Sequence, residues 1–436
     1  MRVLYTIGIL LYSFGVRIAA LFGHAKAVKW VEGRRIKAPE PVEGPIVEEP
    51  VLRQAQEPDS DWIWFHAASL GEFEQGRPLI EALKERHPEL KISLSFFSPS
   101  GYEVRKDYPL ADEVVYLPTD TPRHAAQWVQ RHHYVAAVFI KYEFWFNYMQ
   151  ALKEAGIPLF YISLILKPDS YFFRWYGTWF LRQLRNVTHF FVQDDATAQL
   201  LQDHGMTNIT VCGDTRFDRV AAIARQAKPF PEVERFIGGR KCIIAGSTWP
   251  PDERLLLDFL PQLPDGYCLI VAPHDISESH IAQIQAQFPD AVLYSDLCPC
   301  HTEAQPSVSV GRESVDSRVL IVNTIGILSQ LYQYARFVYI GGGFSVNIHN
   351  IQEPVTFGCP VVFGPKYKSF KEAVDLVALE GAFPIQNGEE LKSVFRRLID
   401  DEAFLTHASE VCIDYLNAQV GATQSIMAGF EKALSS

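Results

Sequence analysis

Apolar and polar positions from residue 62 onward alternate between short β-type runs and longer helical patterns. The strand-like runs of the first half lie at 62–67, 91–97, 113–116, 134–140, 158–163, 189–192 and 209–211. The segments between them carry the apolar spacing of amphipathic helices, as at 76–87, 121–132, 144–155 and 195–204. This βαβ rhythm is typical of a parallel sheet with helices on both faces.

The rhythm pauses at 219–240 and restarts in the second half of the chain. Strands are predicted there at 241–248, 267–271, 291–294, 318–322, 336–340 and 360–363, followed by a helical pattern over 388–434. A chain of 436 residues is too long for one core. We therefore predict an α/β protein with two doubly wound, Rossmann-like domains that face a cleft, a natural ligand site. The predicted domains cover residues 62–225 and 226–436, the second including the C-terminal helices.

The N-terminal segment differs from the rest because residues 3–23 form an almost uninterrupted apolar run. Arg17 breaks the run, which makes it marginal as a membrane span. A basic flank follows, and it suits anionic lipid and a cytoplasmic position for the rest of the chain: Lys26, Lys29, Arg34, Arg35 and Lys37. We expect residues 1–37 to form a membrane anchor or an in-plane helix, and residues 38–61, rich in Pro and acid, to form a linker. The alternative is a buried N-terminal helix of a soluble protein.

Charge and cysteine content narrow the possible functions. The formal net charge of −11 argues against general nucleic-acid binding. The seven cysteines are scattered, and Cys298 and Cys300 form the only close pair, with no second pair to complete a zinc site. We expect a reducing compartment and no metal.

Candidate chemistry in the first domain lies where strands end. The stretch His66–Gly76 follows the first predicted strand and carries Glu72 beside Gly71, a residue that permits close approach of a substrate. The simpler interpretation makes Glu72 a first-turn acid favoured by the helix dipole. Glu143 and Arg216 follow two further strands, and each could equally be a member of a surface ion pair.

The second domain offers features of a nucleotide site. Ser247 and Thr248 end one strand with hydroxyls that could bind phosphate, and His274 ends another after Pro273. Three glycines at 341–343 lead to Glu353, whose two carboxylate oxygens could accept both hydroxyl protons of a ribose. A purely structural turn remains the alternative for the glycines.

The aromatic stretch 167–185 also carries Arg174, Arg182 and Arg185. This composition fits a face that meets lipid headgroups, and it fits equally a core helix with a basic solvated edge.

Six motifs occur together and in order: His-Ala-Ala-Ser-Leu-Gly-Glu, Lys-Tyr-Glu-Phe-Trp-Phe-Asn, Gly-Asp-Thr-Arg-Phe-Asp, Ala-Gly-Ser-Thr, Asn-Thr-Ile-Gly-Ile-Leu and His-Asn-Ile-Gln-Glu-Pro. In this set the chain resembles, over nearly its whole length, the 3-deoxy-D-manno-octulosonic acid (Kdo) transferases of lipopolysaccharide synthesis. The resemblance implies a GT-B fold with an N-terminal hydrophobic anchor at the cytoplasmic side of the cell inner membrane. It also implies inverting transfer of Kdo from CMP-Kdo to lipid IVA, a lipid A precursor, without a metal or other cofactor.

Residue roles carried over by this resemblance make Glu72 the general base and let Glu143 and Arg216 stabilise the transition state. The stretches that would hold CMP include Pro273 and His274, then Ile325, Gly326 and Ile327, then Asn350, Ile351, Gln352 and Glu353. The chain departs from the family pattern at several points. Arg216 replaces a usual Lys, Asn347-Ile348 replaces Gly-Gly, Ile327 replaces a common acid, and Pro273-His274-Asp275 replaces Pro-Arg-His.

Two other functions remain open from the sequence. One is another membrane-associated GT-B glycosyltransferase that uses a UDP-sugar. The other is a non-catalytic nucleotide-sugar binding protein, which would not need a carboxylate and a cation at strand ends.

Overall fold

The computed structural model describes residues 1–36, 60–297 and 317–434. Nearly all of the predicted linker 38–61 lies outside the described residues, as do Cys298 and Cys300. The chain divides into two compact units, Met1–Asp218 with Gly421–Ser436, and Arg219–Val420.

The N-terminal unit is built on a parallel seven-stranded sheet. Its strands run β1 (Trp62–Ala67), β2 (Lys91–Phe96), β3 (Glu113–Tyr116), β4 (Tyr134–Ile140), β5 (Leu159–Leu164), β6 (His189–Val192) and β7 (Ile209–Val211). They lie in the order β3-β2-β1-β4-β5-β6-β7. The predicted strands of this half are therefore confirmed to within a residue or two at their ends.

The helices of this half are α1 (Arg2–Leu21), α2 (Ala25–Ile36), α3 (Leu70–Arg86), α4 (Pro99–Arg105), α5 (Pro122–Val129), α6 (Phe146–Glu154), α7 (Thr178–Leu184), α8 (Asp195–Asp203) and α9 (Thr215–Arg225), with a 3-10 turn at Tyr171–Phe173. Alternate residues of the strands point to opposite faces, so Trp64 packs with α5 and α6, while Ile63 and Phe65 pack with α3. Helices thus cover both faces of the sheet, as the sequence pattern predicts.

The C-terminal unit repeats this architecture. Its parallel strands are β8 (Lys241–Thr248), β9 (Tyr267–Pro273), β10 (Val292–Leu293), β11 (Val319–Ile321), β12 (Ala335–Ile340), β13 (Val361–Phe363) and β14 (Ala382–Pro384), in the order β10-β11-β9-β8-β12-β13-β14. The pattern of the sequence missed β14, a three-residue edge strand.

Helices of this half are α10 (Pro231–Ile237), α11 (Pro250–Phe259), α12 (Glu278–Gln287), α13 (Tyr294–Leu297), α14 (Leu328–Leu331), α15 (Gln352–Thr356), α16 (Lys371–Ala378), α17 (Gly388–Asp400) and α18 (Glu402–Gln419), with 3-10 turns at Leu260–Gln262 and Tyr332–Tyr334. Side chains of α11, α12 and α17 fill one core with β8, β9 and β12.

The last helix, α19 (Ala422–Leu434), belongs to the N-terminal unit, whereas the sequence analysis assigned residues 226–436 to a single C-terminal domain. Asp218 explains the difference, because its carboxylate accepts hydrogen bonds from the amides of Gly421 and Thr423, both at 2.6 Å. Beyond them, Phe430 is fully buried and lies 4.7 Å from Phe160 of β5, centroid to centroid. The amphipathic pattern predicts a helix here, but the local sequence does not show which unit the helix packs against.

Helix α1 lies on the surface of the N-terminal unit, with Ser13 as its only buried residue. Polar side chains on its inner face hold it to the rest of the unit. Arg2 Nε donates to Asn147 at 2.9 Å, and the Tyr5 hydroxyl donates to Asp120 at 2.6 Å. Its outer face carries an exposed apolar stripe of Val3, Leu4, Ile7, Leu10, Leu11, Phe14, Ile18 and Leu21. Of the described helices, α1 is the one long and apolar enough to cross a membrane. The alternative of a buried N-terminal helix is not what the structure shows.

Replacing Phe430 by Ala tests the docking of α19. We expect a loss of about 3–5 kcal/mol in the free energy of unfolding of the N-terminal unit, because a cavity replaces a fully buried ring. Native-state hydrogen exchange in β5 measures it, with Phe430→Leu as the milder control. Unchanged protection in β5 would contradict the assignment of α19 to this unit.

Candidate active site

The strand order of the N-terminal unit reverses between β1 and β4. These strands are neighbours in the sheet, but α3, which follows β1, and α6, which follows β4, cover opposite faces. In open α/β sheets such a switch point leaves a crevice at the carboxyl ends of the strands, where ligands bind. Glu72 follows β1 and Glu143 follows β4, so the two predicted carboxylates flank this crevice.

Glu72 lies in the first turn of α3, which begins at Leu70, six residues before the helix predicted from the sequence. Ser69 precedes the helix with an extended backbone, and its hydroxyl donates to Glu72 Oε2. A Cβ placed on Gly71 would meet only the Ser69 hydroxyl, at 3.8 Å, so the space beside the carboxylate is open. Glu72 is thus a first-turn acid by position, and its partly exposed carboxylate borders that space.

The neighbouring carboxylate, Glu74, is placed differently on the same helix. It forms ion pairs with Arg105 at 2.6 Å and with Arg77 at 3.9 Å. The pair with Arg105 joins α3 to α4, whereas Arg77 lies on α3 itself, and both pairs identify Glu74 as a structural residue.

Glu143 is held by partners on several elements. Its Oε2 accepts from the indole of Trp145 at 2.8 Å and lies 3.2 Å from His66 Nε2. Tyr161 of β5 donates to its backbone oxygen at 2.8 Å. The loop begins at Lys141 with a positive φ of 63°. Burial raises the pKa of Tyr142, and the charges of Asp194 and Glu72 raise it further, which places this loop near Glu72.

Arg216 stands in the first turn of α9, after β7. Its guanidinium donates from Nε at 2.9 Å and from Nη2 at 2.6 Å to Asp214 Oδ2. The preceding Thr215 donates to the backbone oxygen of Gln75 at 2.5 Å, which ties this helix start to α3. The ion-pair interpretation of Arg216 is therefore confirmed, and the pair fixes the cation at the same edge of the sheet as Glu72.

A cavity of about 300 Å³ opens beside this edge. It is lined mainly by apolar side chains of α1, α2 and the loop after β2: Tyr12, Val16, Ala19, Ala27, Trp30, Phe97 and Pro99, with His24, Lys26 and Ser98 completing the wall. Ser98 donates from its amide to the backbone oxygen of Ala68 at 2.7 Å, four residues before Glu72. Phe97 also packs on Trp145, with ring centroids 4.8 Å apart. The cavity thus adjoins the loops that carry both carboxylates.

In the C-terminal unit the predicted donor residues end or follow four adjacent strands, β11, β9, β8 and β12, and the strand order reverses between β8 and β12. Ser247 and Pro273 lie at the ends of β8 and β9, and Gly326 and Glu353 lie after β11 and β12, so all four lie at one edge of one sheet, as predicted. Gly326 has a φ of 92° in the exposed turn between Ile325 and Ile327.

The three glycines are explained by contacts within the protein. A Cβ on Gly341 would lie 2.3 Å from Ser247 O, and one on Gly343 would lie 2.7 Å from Gly364. Asp252, a buried carboxylate, accepts from the amide of Gly342 at 3.0 Å and from Tyr339 at 2.7 Å. The glycines therefore let the loop after β12 pack on its neighbours, as the structural-turn alternative requires.

Three rings form a stack at this edge. Trp249 lies 4.8 Å from His274, and His274 lies 4.4 Å from His349, centroid to centroid. Trp249 donates from its indole to His349 Nε2 at 2.9 Å, so this nitrogen is an acceptor. Burial, and after it His274, lowers the pKa of His349, which is consistent with a neutral ring. His274 thus belongs to an aromatic stack at the position where the family resemblance implies Arg.

The hydroxyls and carboxylates at this edge of the sheet differ in how accessible they are to a ligand. Thr248 is buried and donates to Glu253 at 3.2 Å, so its hydroxyl faces the interior, while Ser247 is partly exposed. Glu353 accepts from the side-chain amide of Asn350 at 3.2 Å. Burial raises the pKa of Glu353, and Asn350 and Arg219 oppose that rise. Ile351 and Gln352 are buried beneath the loop.

Sequence reasoning gave no role to His66, Trp145, Asp252 or Trp249, although the structure places each of them in contact with a candidate loop. A histidine within an otherwise apolar strand was the one available signal, because polar groups buried there need partners.

Comparisons with known proteins agree with this arrangement. Residues 41–219 match the family described as 3-deoxy-D-manno-octulosonic-acid transferase (kdotransferase). A 3-deoxy-D-manno-octulosonic acid transferase of Bordetella pertussis is 25% identical over 393 residues, covering 85% of this chain and 86% of its own. The transferase of Aquifex aeolicus is 24% identical, covering 77% and 86%. A bifunctional glycosyltransferase/methyltransferase of Fusobacterium nucleatum is 25% identical, and the match covers 76% of this chain and 52% of that protein.

Solved structures show the fold. The UDP-GlcNAc 2-epimerase of Neisseria meningitidis, bound to UDP-GlcNAc, superposes with a TM-score of 0.59 at 12% identity and covers 85% of this chain and 100% of its own. A putative UDP-N-acetylglucosamine 2-epimerase of Listeria monocytogenes gives a TM-score of 0.58 at 11% identity, covering 86% and 96%. With its two doubly wound units the chain has the GT-B fold, and it is similar to 3-deoxy-D-manno-octulosonic acid (Kdo) transferases, over residues 41–219 by the family match and over most of its length by relatives at 24–25% identity.

Proposed function

We propose that this glycosyltransferase moves Kdo from CMP-Kdo to lipid IVA in lipopolysaccharide biosynthesis, with inversion and with Glu72 as the general base. The observation that carries the proposal is the pair of carboxylates, Glu72 and Glu143, flanking the switch point of a unit that matches the Kdo-transferase family.

The reaction is a single displacement. An acceptor hydroxyl oxygen attacks the anomeric carbon of Kdo, its proton passes to Glu72, and the bond from that carbon to the CMP phosphate oxygen breaks. One carboxylate base suffices, as for the water-activating base of inverting glycosidases, because a phosphate leaves readily. Glu143 stabilises positive charge that develops on the sugar, and Arg216, oriented by Asp214, offsets negative charge on the leaving phosphate.

The C-terminal unit binds the donor. Glu353 accepts hydrogen bonds from the ribose hydroxyls, and the turn at Gly326 offers backbone groups to the base. Ser247 is the partly exposed hydroxyl available to the phosphate. The exposed ring of His274 provides a surface for stacking.

The N-terminal unit meets the lipid. The apolar stripe of α1 lies in the bilayer surface, while the polar bonds of Arg2 and Tyr5 keep the opposite face of the helix on the protein. Trp175, 91% exposed, belongs to the aromatic stretch that contacts α1 through Trp179 and Tyr5. The cavity beside the Glu72 loop accepts an acyl chain of the acceptor. The basic flank after α1 supports a position at the cytoplasmic side of the inner membrane.

The alternatives make different predictions about ligands. Another GT-B enzyme would use a UDP-sugar, and the epimerase bound to UDP-GlcNAc shares only the fold at 12% identity. Calorimetry with CMP and UDP separates these donors. Mass spectrometry of the lipid products from CMP-Kdo and lipid IVA distinguishes a transferase from a non-catalytic binding protein.

Glu72→Gln keeps the shape of the side chain and removes the base. We expect Kdo transfer to fall by roughly 10²- to 10⁴-fold, with CMP-Kdo affinity retained, because the donor is bound by the other unit. Mass spectrometry follows the product, and calorimetry follows the donor. Glu74→Gln is the matched control and should retain transfer. Transfer by Glu72→Gln at close to the parent rate would remove Glu72 from the mechanism.

Affinity for CMP should depend on the ionisation of Glu353. Its ionised form accepts the ribose hydroxyls, and its pKa is raised above the ordinary 4.5 by burial. CMP affinity should therefore weaken on acidification at a higher pH than an exposed Glu would cause. Calorimetry of CMP binding across pH measures this, and Glu353→Gln should bind more weakly and lose that dependence. An unchanged pH dependence in the variant would argue against this contact.

Filling the cavity should weaken acceptor binding. Ala19→Trp places an indole in the wall of the cavity, so we expect a higher KM for lipid IVA and an unchanged KM for CMP-Kdo. Val3→Trp, on the exposed stripe of the same helix, is the control for altered membrane binding. Equal acceptor KM values in the two variants would show that the cavity holds no part of the lipid.

A further inference from the structure

His66 is a fully buried histidine in the middle of a sheet, and the proposed mechanism gives it no role. Its Nε2 lies 3.2 Å from Glu143 Oε2, and its Nδ1 lies 2.8 Å from the Ser95 hydroxyl and 3.1 Å from the Ser95 backbone oxygen. Ser95, in β2, is also fully buried. The imidazole therefore bridges the interior of the sheet and the candidate catalytic loop.

The direction of these hydrogen bonds follows from Trp64. An indole N–H can only donate, and Trp64 Nε1 lies 2.7 Å from the Ser95 hydroxyl oxygen. Ser95 accepts this bond, so its own single proton points elsewhere. Its nearest acceptor is His66 Nδ1 at 2.8 Å, whereas the backbone oxygen of Phe65 is 3.4 Å away.

With Nδ1 as an acceptor, the ring proton of a neutral His66 lies on Nε2 and points at Glu143 Oε2. Trp145 Nε1 donates to the same oxygen at 2.8 Å. Every donor in the series then has one acceptor: Trp64 to Ser95, Ser95 to His66, His66 to Glu143, and Trp145 to Glu143.

The opposite tautomer satisfies these groups less well. If Nδ1 carried the proton and donated to the Ser95 backbone oxygen, the lone pairs of His66 Nε2 and Glu143 Oε2 would face each other at 3.2 Å. One indole proton of Trp145, 2.9 Å from His66 Nε2, would be shared between both. Unpaired polar atoms inside a protein are costly.

We propose that His66 is a positioning residue: the series Trp64–Ser95–His66 fixes its Nε2–H tautomer, and that proton holds Glu143 as an oriented carboxylate. Both N–H donors meet Oε2, which leaves Oε1 directed toward the reacting sugar. This inference rests on the proposed role of Glu143. It adds the residues that set the orientation of the Glu143 carboxylate.

Two phenols near Glu143, those of Tyr161 and Tyr171, carry no charge. Tyr161 donates to its backbone oxygen from β5, and Tyr171 lies near it from the 3-10 turn. Burial raises the pKa of both phenols, for Tyr161 well above its ordinary range. The two phenols stay neutral. His66 is therefore the titratable residue in direct contact whose removal would change the surroundings of the Glu143 carboxylate.

The tautomer is read directly by ¹⁵N NMR of the full chain with labelled histidine, and the His66 signal is assigned by its loss in His66→Gln. We expect a pyrrole-type Nε2 and a pyridine-type Nδ1 in the parent protein. Ser95→Ala removes the hydroxyl, so the proton should move to Nδ1 and donate to the backbone oxygen of residue 95. An Nδ1–H or doubly protonated ring in the parent would overturn the proposal.

Activity separates positioning from a general structural role. His66→Gln retains an N–H donor at the place of Nε2, whereas His66→Asn reaches only the place of Nδ1. We expect roughly a 10- to 100-fold loss of kcat for His66→Asn, with the acid limb of its pH profile moved to higher pH, and a smaller loss with an unmoved limb for His66→Gln. Similar melting temperatures for the two variants provide the control for folding.

Equal kcat and identical pH profiles for the two variants would overturn the proposal, since donor retention would then have no effect. If the parent protein transfers no Kdo, the proposed function fails, and the NMR result still reports the tautomer independently.

Discussion

The geometry of both units depends on one topological constraint. In a parallel sheet with helices on both faces, two neighbouring strands must at some point be followed by helices on opposite faces. The gap between those helices lies at the carboxyl ends of the two strands, and no helix covers it. Here it lies between β1 and β4 in one unit and between β8 and β12 in the other. Small and polar residues lie where the flanking strands end, with Ser69 and Glu72 after β1 and Ser247 at the end of β8.

One buried carboxylate links the surface helix to this crevice. Asp120 accepts hydrogen bonds from Tyr5 of α1 and from the amides of Asn147 and Tyr148, which begin α6. Burial raises its pKa to about 6, and these donors act in the opposite direction. Because α6 begins directly after the loop that carries Glu143, Asp120 contributes both to the attachment of α1 and to fixing the end of that loop. Together with the bond from Arg2 to Asn147, it joins the helix with the exposed apolar stripe to a loop of the candidate site.

The strands were predictable because a buried parallel strand is a continuous apolar run, and such runs at 62–67, 134–140 and 241–248 have sharp ends. Glu72, Glu143 and Arg216 could be proposed because each follows such a run. The docking of α19 could not be predicted, since it depends on Asp218, about two hundred residues earlier in the chain. The partners of Glu143 were equally hidden, because His66 contacts it across the sheet and not along the chain. The sequence pattern reveals elements and their edges, whereas pairings between distant polar groups appear only in the folded protein.

The proposed position of α1 in the bilayer surface has a consequence for how the enzyme meets its acceptor. A protein that floats on a surface through one helix face can still turn about the axis normal to the membrane, but it loses its tumbling freedom about the other two axes. In that proposed position, the bonds of Arg2, Tyr5 and Ser13 along one side of α1 would set the height of the crevice above the membrane, and the edge of the unit that faces it, before an acceptor arrives. Diffusion in two dimensions would then replace a search in three dimensions. Much of the rotational entropy that the enzyme would lose on binding a lipid would already be lost when it binds the membrane.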